Sequence, residues 1–252
     1  MTAPFQPRTL PFAGRSVFLT GGAKGIGAAI ARRLAADGAR VTIADRDIAS
    51  AKALAADIGA DAVELDVTDL ERARQTVLAT GPHQILVNNA GVDQHAYFTQ
   101  TEIADWRRLL AVNLESVFAT THAALPAMQE AGFGRIVNIA SEAGRMGSRG
   151  AAVYAAAKGG VIAFTRSIAR ENGRKGITAN VIAPGPIDTP LLREAVSAGG
   201  DRLLQAMTGA TLAGRLGTPD EVAAAVAFLV SDAAAFITGE TLGVSGGMGC
   251  GQ

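Results

Sequence analysis

Tyr154 and Lys158 stand four residues apart in GAAVYAAAKGGVIAFTRSIAR, a stretch whose composition predicts a long helix. At that spacing two side chains share a face, one turn apart. An ammonium held beside a phenol stabilises the phenolate. Bringing a tyrosine from its ordinary pKa of about 10 to near neutrality takes about 4 kcal/mol of differential interaction. The product would be an acid/base group able to move a proton on and off an alcohol oxygen. Taken alone, a tyrosine and a lysine at this spacing form an ordinary helix surface, so the rest of the chain has to decide.

Positioning such a pair takes a rigid frame, and the sequence supplies one. Short β-branched runs alternate with alanine-rich helical segments through the 252 residues. Strands are expected at Ser16–Thr20, Arg40–Ala44, Ala62–Leu65, Ile85–Asn88, Arg135–Ile139, Thr178–Ile182 and Thr241–Val244. Helices are expected at Ile26–Asp37, Ser50–Ile58, Leu70–Ala79, Glu102–Met128, Tyr154–Asn172 and Pro219–Val230. Runs such as VFLT and RIVNIA are apolar throughout rather than alternating, which fits strands buried on both faces. The pattern predicts an α/β fold: a single domain with a doubly wound, seven-stranded parallel sheet and helices on both faces. One long interval, Pro184–Gly217, carries a short helix near Pro190–Ala198 and reads as a lid with Leu191, Leu192, Leu203, Leu204 and Met207 inward. Arg193, Glu194, Asp201 and Arg202 are expected outside it.

After the first strand comes GGAKGIG and then a helix. Gly21, Gly25 and Gly27 permit a tight turn that brings backbone amides and a helix N-terminus up to a pyrophosphate. No Gly-Lys-Ser/Thr closes the loop, so it is not a P-loop. The second strand ends in Asp45, 18 residues past Gly27, where a carboxylate accepts from a ribose diol and repels a 2′-phosphate. Lys24 and Arg46 are cations that would attract such a phosphate. NAD is therefore expected over NADP, with Asp45 outweighing them.

In this order the motifs resemble the short-chain dehydrogenase/reductase family in its single-domain form. They are TGGAKGIG at Thr20–Gly27, LDV at Leu65–Val67, NNAG at Asn88–Gly91 and Asn113 within AVNL. Ser141 follows IVNIA, 13 residues before Tyr154 of YAAAK, and PGPIDTP closes the series at Pro184–Pro190. The resemblance implies that Tyr154 is the acid/base, that Ser141 binds the substrate oxygen, and that Lys158 holds the nicotinamide ribose and lowers the tyrosine pKa. Asn113 would hold a water linking the lysine to solvent. Gly21, Lys24, Gly25, Ile26, Gly27 and Asp45 would meet the cofactor, with Asp66 and Val67 at its adenine. Asn88, Ala90 and Gly91 would line it, and Pro184, Gly185, Ile187 and Thr189 would reach its carboxamide. The lesser alternatives are Asp66 as an N-cap or turn former and Asn113 as a buried polar bracket, a residue that in the family also kinks its helix. Several runs, among them IVNIASEAGRMGS and FITGETLGVSGGM, are similar to 2-hydroxycyclohexanecarboxyl-CoA dehydrogenases and to 3-oxoacyl carrier-protein reductases.

The expected activity is NAD-dependent hydride transfer to or from a secondary alcohol or ketone, hydrophobic or a hydroxyacyl thioester. The alternatives are an NADPH-dependent 3-oxoacyl thioester reductase and, more remotely, a non-catalytic dinucleotide sensor. Arg145 and Arg149 near the mouth are expected in solvent or between subunits, the lesser alternative being that they attract an anionic substrate such as an acyl-CoA phosphate. The balance of 23 basic and 23 acidic residues favours neither nucleic acid nor a membrane surface as partner. No apolar run approaches the ~18 residues of a span. Three histidines without ligand spacing suggest no metal, and the single cysteine, Cys250, fits a reducing cytoplasm. The family likeness implies a homotetramer, with a dimer as the alternative, built through Glu102–Met128 and Tyr154–Asn172 and through the last helix and strand near Pro219–Val244, where VAAAVAFLV at Val222–Val230 offers a small-residue face. The proline-bearing stretch before Ser16 is expected as a loose arm.

Overall fold

The structure, a computed structural model, describes residues 10–250. Seven strands, β1 (Ser16–Thr20), β2 (Arg40–Asp45), β3 (Asp61–Glu64), β4 (Ile85–Asn88), β5 (Gly134–Ile139), β6 (Ile177–Pro184) and β7 (Thr241–Val244), form one sheet in the order β3-β2-β1-β4-β5-β6-β7. Every pairing is parallel. The expected fold class is the observed one.

Continuous apolar runs put side chains on both faces of the sheet. In β1, Val17 and Leu19 enter one core and Phe18 the other; in β4, Ile85 and Val87 oppose Leu86 in the same way. Helices α1 (Gly25–Ala36), α2 (Ile48–Ile58) and α10 (Pro219–Val230) cover the first face, α1 through Ile30 and Leu34 and α10 through Val222 and Val226. Helices α3 (Leu70–Thr80), α5 (Ser116–Ala131) and α7 (Ala152–Asn172) cover the second, with Val77, Met128 and Ile168. Each such large side chain, fully buried, contributes about 1.5–3 kcal/mol. The edge strands β3 and β7 are only partly buried. Among the described residues no helix is long and apolar enough to cross a membrane.

Four expectations change. The segment expected as one helix over Glu102–Met128 is α4 (Ile103–Leu110), a π-helical turn at Ala111–Glu115, then α5. The expected lid has two helices rather than one, α8 (Pro190–Gly199) and α9 (Asp201–Gly209), split at Gly200, whose φ of 73° suits glycine alone. The small-residue face of α10 is spent inside the molecule, where Val222, Ala223, Val226 and Ala227 are buried, leaving Phe228 outward. Finally, Phe12 is buried and its amide donates to the Asp37 carbonyl at 2.9 Å, so the arm is packed from there; its portion before residue 10 lies outside the described residues. A short helix, α6 (Ala143–Met146), follows β5.

The strand order reverses direction between β1 and β4. Crossover helices on either side of that point leave a crevice at the strands' carboxyl ends, where ligands of such sheets bind. The candidate site lies there.

Candidate active site

A cavity of about 1180 Å³ opens over the carboxyl ends of the central strands. Its floor at one end is the β1–α1 turn. Lys24 stands at the N-cap of α1 with no side-chain cap, so the first-turn amides stay available to an anion. Gly27 packs so tightly that a Cβ there would run into the Gly21 carbonyl and come within 2.7 Å of the Asn89 amide nitrogen. Gly21 itself has φ 63° and lies against Ala90. This cradle, an uncapped helix end behind a backbone with no room for side chains, fits a dinucleotide pyrophosphate.

Asp45 lines the cavity at the end of β2. Its Oδ2 accepts from the Ala23 amide at 3.0 Å and its Oδ1 from the Asp47 amide at 2.9 Å, which holds the carboxylate towards the turn. Lys24, expected as a phosphate-attracting cation, is ion-paired with Asp47 at 2.6 Å. That pairing raises the lysine pKa and holds the Asp47 carboxyl far below the usual carboxylate range. Asp66 lines the cavity while its Oδ1 accepts from the amide and hydroxyl of Thr68 at 2.9 and 2.7 Å, so the turn-forming reading of this residue holds alongside its place in the cleft. Val67, Ile26, Ala90, Gly91, Pro184, Gly185, Ile187 and Thr189 all line it. Thr189 also caps α8, accepting from the Leu192 amide at 3.2 Å.

Asn88 departs from expectation. It points away from the cavity, 4% exposed, into a buried polar ladder between the sheet and two helices. Thr120 donates to Asn88 Oδ1 at 2.7 Å; Asn88 Nδ2 donates to Thr121 at 3.3 Å and to Asn138 Oδ1 at 2.8 Å. Asn138 in turn donates to Thr165 at 2.9 Å, and Thr165 to the Val161 carbonyl at 2.7 Å. The cleft residue is Asn89, whose Nδ2 donates to the carbonyls of Thr20 and Gly21 at 3.1 and 2.7 Å and so holds the glycine turn closed.

At the other end of the cavity stand Ser141, Tyr154 and Lys158, with Asn113 behind them. Gln94 orients the tyrosine's helix: its Oε1 accepts from the amides of Val153 and Tyr154, both at 3.1 Å, satisfying donors that α7 has no cap for. Asn113 is fully buried in the π turn, accepting from the Val92 amide at 3.2 Å and donating to the carbonyls of Val92 and Leu109 at 3.0 Å each. Its side chain therefore clamps the segment after β4 to the kinked helix, as the bracket reading anticipates. Gly91 lies between Asn113 and Lys158, where a Cβ would sit 3.0 Å from Asn113 Oδ1 and 3.4 Å from the lysine Nζ.

The expected lowering of the tyrosine pKa by Lys158 is not what the structure holds. Burial, with the Asp93 carboxylate adding to it, pushes the Tyr154 phenol up to about 12, and the nearby Ser141 hydroxyl opposes the rise. Lys158 Nζ donates to the Ile139 carbonyl at 2.9 Å and stays 5.8 Å from the phenol ring centre. Burial lowers the lysine to about 8, with Asp93 opposing. Asp93, which the sequence motifs do not single out, is thus the charged neighbour of both groups.

The two arginines near the mouth divide. Arg145 donates to both oxygens of the buried Glu142, at 3.2 and 3.1 Å, and does not line the cavity. Arg149 lines it and lies 5.3 Å over the Tyr97 ring. Of the lid residues expected inward, Leu191, Leu192, Leu203 and Met207 line the cavity and Leu204 does not; Glu194, expected outside, does.

Known proteins share this architecture. Residues 21–249 match the family described as enoyl-(acyl carrier protein) reductase. The chain is 43% identical to the 3-oxoacyl-[acyl-carrier-protein] reductase FabG of Escherichia coli, over 94% of this chain and 98% of that one. It is 41% identical to the 3-oxoacyl-[acyl-carrier-protein] reductase MabA of Mycobacterium tuberculosis, over 96% of each. A solved short-chain dehydrogenase/reductase family protein superposes with a TM-score of 0.89 at 35% identity, covering 95% of this chain and 99% of that one. A putative 2-deoxy-d-gluconate 3-dehydrogenase from Agrobacterium tumefaciens, with bound NADP, does so at 0.86 and 36%, covering 96% and 99%.

Proposed function

We propose that this chain, which belongs to the short-chain dehydrogenase/reductase family of oxidoreductases, reduces the ketone of a 3-oxoacyl thioester to a secondary alcohol using NADH. The broader expectation of a dehydrogenase for secondary alcohols narrows to this class because two relatives carry that activity in their names. The direction follows the same two names, both of reductases. The observation that carries the chemistry is the grouping of Ser141, Tyr154 and Lys158 at one end of the cavity, where the phenol can give a carbonyl oxygen the proton that a reduction needs.

When bound, a reduced nicotinamide supplies the hydride. The chain's own residues do the rest. The Ser141 hydroxyl donates to the carbonyl oxygen and fixes it. Tyr154 gives that oxygen its proton as negative charge develops there. Lys158, an ammonium below about pH 8, favours that charge and the ribose hydroxyls beside it. Asn113 and Gln94 act by position, one holding the wall after β4 and the other the start of α7.

NADH is the reading supported by Asp45 and by the Lys24–Asp47 pair. A 2′-phosphate would approach a fixed carboxylate while the nearest lysine is already neutralised. The expected result is a kcat/KM with NADH at least about tenfold above that with NADPH, a difference of about 1.4 kcal/mol. Asp45→Ala should narrow the gap, and Asp45→Ala/Asp47→Ala should narrow it further by releasing Lys24. Initial rates with acetoacetyl-CoA, cyclohexanone and both cofactors test the two parts separately. Equal use of the cofactors would sink the role of Asp45; a small ketone outperforming the thioester would sink the substrate class.

The exposed aromatic residues support a homotetramer. Phe118 packs on Phe164 between α5 and α7, yet stays 39% exposed, and Phe228, Phe236 and Leu242 lie open along α10 and β7. Two such patches at different faces suit two symmetric interfaces. Light scattering at micromolar concentration should give four times the chain mass, and Phe236→Glu/Phe228→Glu should halve it. A monomeric mass for the unaltered protein would refute this assembly.

A further inference from the structure

We propose that Arg149, resting on Tyr97 at the cavity mouth, anchors the phosphate of the substrate's carrier arm. The inference rests on the thioester reading above and identifies what holds the end of the substrate farthest from the reacting carbonyl.

Lys24, Arg46, Lys158, Arg149 and the imidazole of His95 line the cavity. Lys24 is paired with Asp47. Arg46 lies at the Asp45 and Asp66 end, where its charge acts on Asp66. His95 faces Asp93 at 3.7 Å. Lys158 is buried against the Ile139 carbonyl. Like Arg46 at the far end of the cleft, Arg149 at the substrate end has neither a carboxylate partner nor a hydrogen bond among the described residues. Its guanidinium is placed by stacking on an aromatic face instead, which leaves its five N–H donors free.

The position is fixed as well as unpaired. The Ala96 amide donates to the Gly150 carbonyl at 3.0 Å, tying the loop that carries Tyr97 to the loop that carries Arg149. Gln94, on the first loop, grips the amides of Val153 and Tyr154. Arg149 and the catalytic tyrosine are thus set by one stitched unit. They stand five positions apart, which limits their Cα distance to about 17 Å. Between them and the lid, Leu191, Leu203, Met207 and Met248 give the cavity an apolar wall. A ligand matching this layout has a polar reacting end, an apolar chain, and an anion at the end of a flexible arm. A phosphate fits the free planar fork better than any neutral group. A pantetheine phosphate supplies it, whether within coenzyme A or on an acyl carrier protein.

The test compares four acetoacetyl thioesters, of coenzyme A, of pantetheine 4′-phosphate, of a carrier protein, and of N-acetylcysteamine, which lacks phosphate. With Arg149→Gln the kcat/KM for the pantetheine phosphate thioester, relative to the N-acetylcysteamine thioester, should fall about tenfold, through KM. The effect should shrink in about 0.5 M salt, and Arg149→Lys should recover only part of it. A matching fall with coenzyme A or with the carrier protein tells which source the site serves. An unchanged ratio would overturn the proposal, as would equal losses on both thioesters, which would make Arg149 a prop for its loop. If the unaltered protein reduces none of the four, the thioester reading fails first and this anchor fails with it.

Discussion

Tyr154→Phe will lower turnover of the ketone by at least about a hundredfold, the lower end of what general acid–base groups supply and equal to about 2.7 kcal/mol of barrier. The change removes one oxygen. The ring keeps its place because α7 is set by Gln94 through backbone amides, which the substitution leaves alone. Thermal melting and NADH affinity, read by nucleotide fluorescence, should therefore stay near those of the unaltered protein. The loss should fall on kcat rather than on KM, since the phenol's proton is needed only as charge builds on the substrate oxygen. A phenylalanine enzyme that keeps most of its turnover would place proton transfer elsewhere.

Lys158→Met should cost a comparable factor by a different route. The lysine is 4% exposed and spends one hydrogen on the Ile139 carbonyl, leaving the remainder of its charge facing the cleft. Losing it removes a favourable charge from the transition state and a donor from the ribose, so NADH affinity should fall along with kcat. The pH profile separates this residue from Tyr154. With the ammonium titrating at about 8, its charge is present below that pH and lost above it. Reduction should hold level up to about pH 7 and decline above about pH 8, while the tyrosine, near 12, stays protonated throughout. Lys158→Arg should carry the decline to higher pH, and Lys158→Met should show none. A profile of the unaltered enzyme that passes flat through pH 8 would remove Lys158 from this role.

Much of this site is legible in the chain because its parts sit at strand ends. Continuous apolar runs mark β1, β4 and β5, and whatever follows them must lie at the carboxyl edge of a parallel sheet. Gly21 to Gly27, Asp45 and Ser141 are found that way. Where reading failed, the missing information was spatial. Asn88 and Asn89 are adjacent and equally polar, but consecutive residues of a strand face opposite sides, so only one can reach the cleft. The β4–β5 register sets Asn88 beside Asn138 and settles which. The π turn at Asn113 escaped because one inserted residue barely disturbs a helical apolar pattern. Gly199-Gly200 reads as the end of a helix, and it is, but a second helix starts at once on the far side. The tyrosine's proton affinity depends on burial and on Asp93, which spacing along a helix does not register.

The ladder through Asn88 has a direction. Its donors run one way: Thr120 to Asn88, Asn88 to Asn138, Asn138 to Thr165, Thr165 to a carbonyl. Asn138→Asp would set a buried carboxylate against a hydroxyl whose hydrogen is committed, at a cost above the ~1–3 kcal/mol of a neutral group left unsatisfied. Repair at one rung would move the mismatch to the next. Substitutions here are therefore expected to arise in matched sets, and a homologue that changes one rung should change its neighbour too. Double-mutant cycles between Asn88 and Asn138 would measure that dependence as a coupling energy. Two asparagines chosen for their hydrogen bonds thereby constrain which neighbouring sequences this fold can drift into.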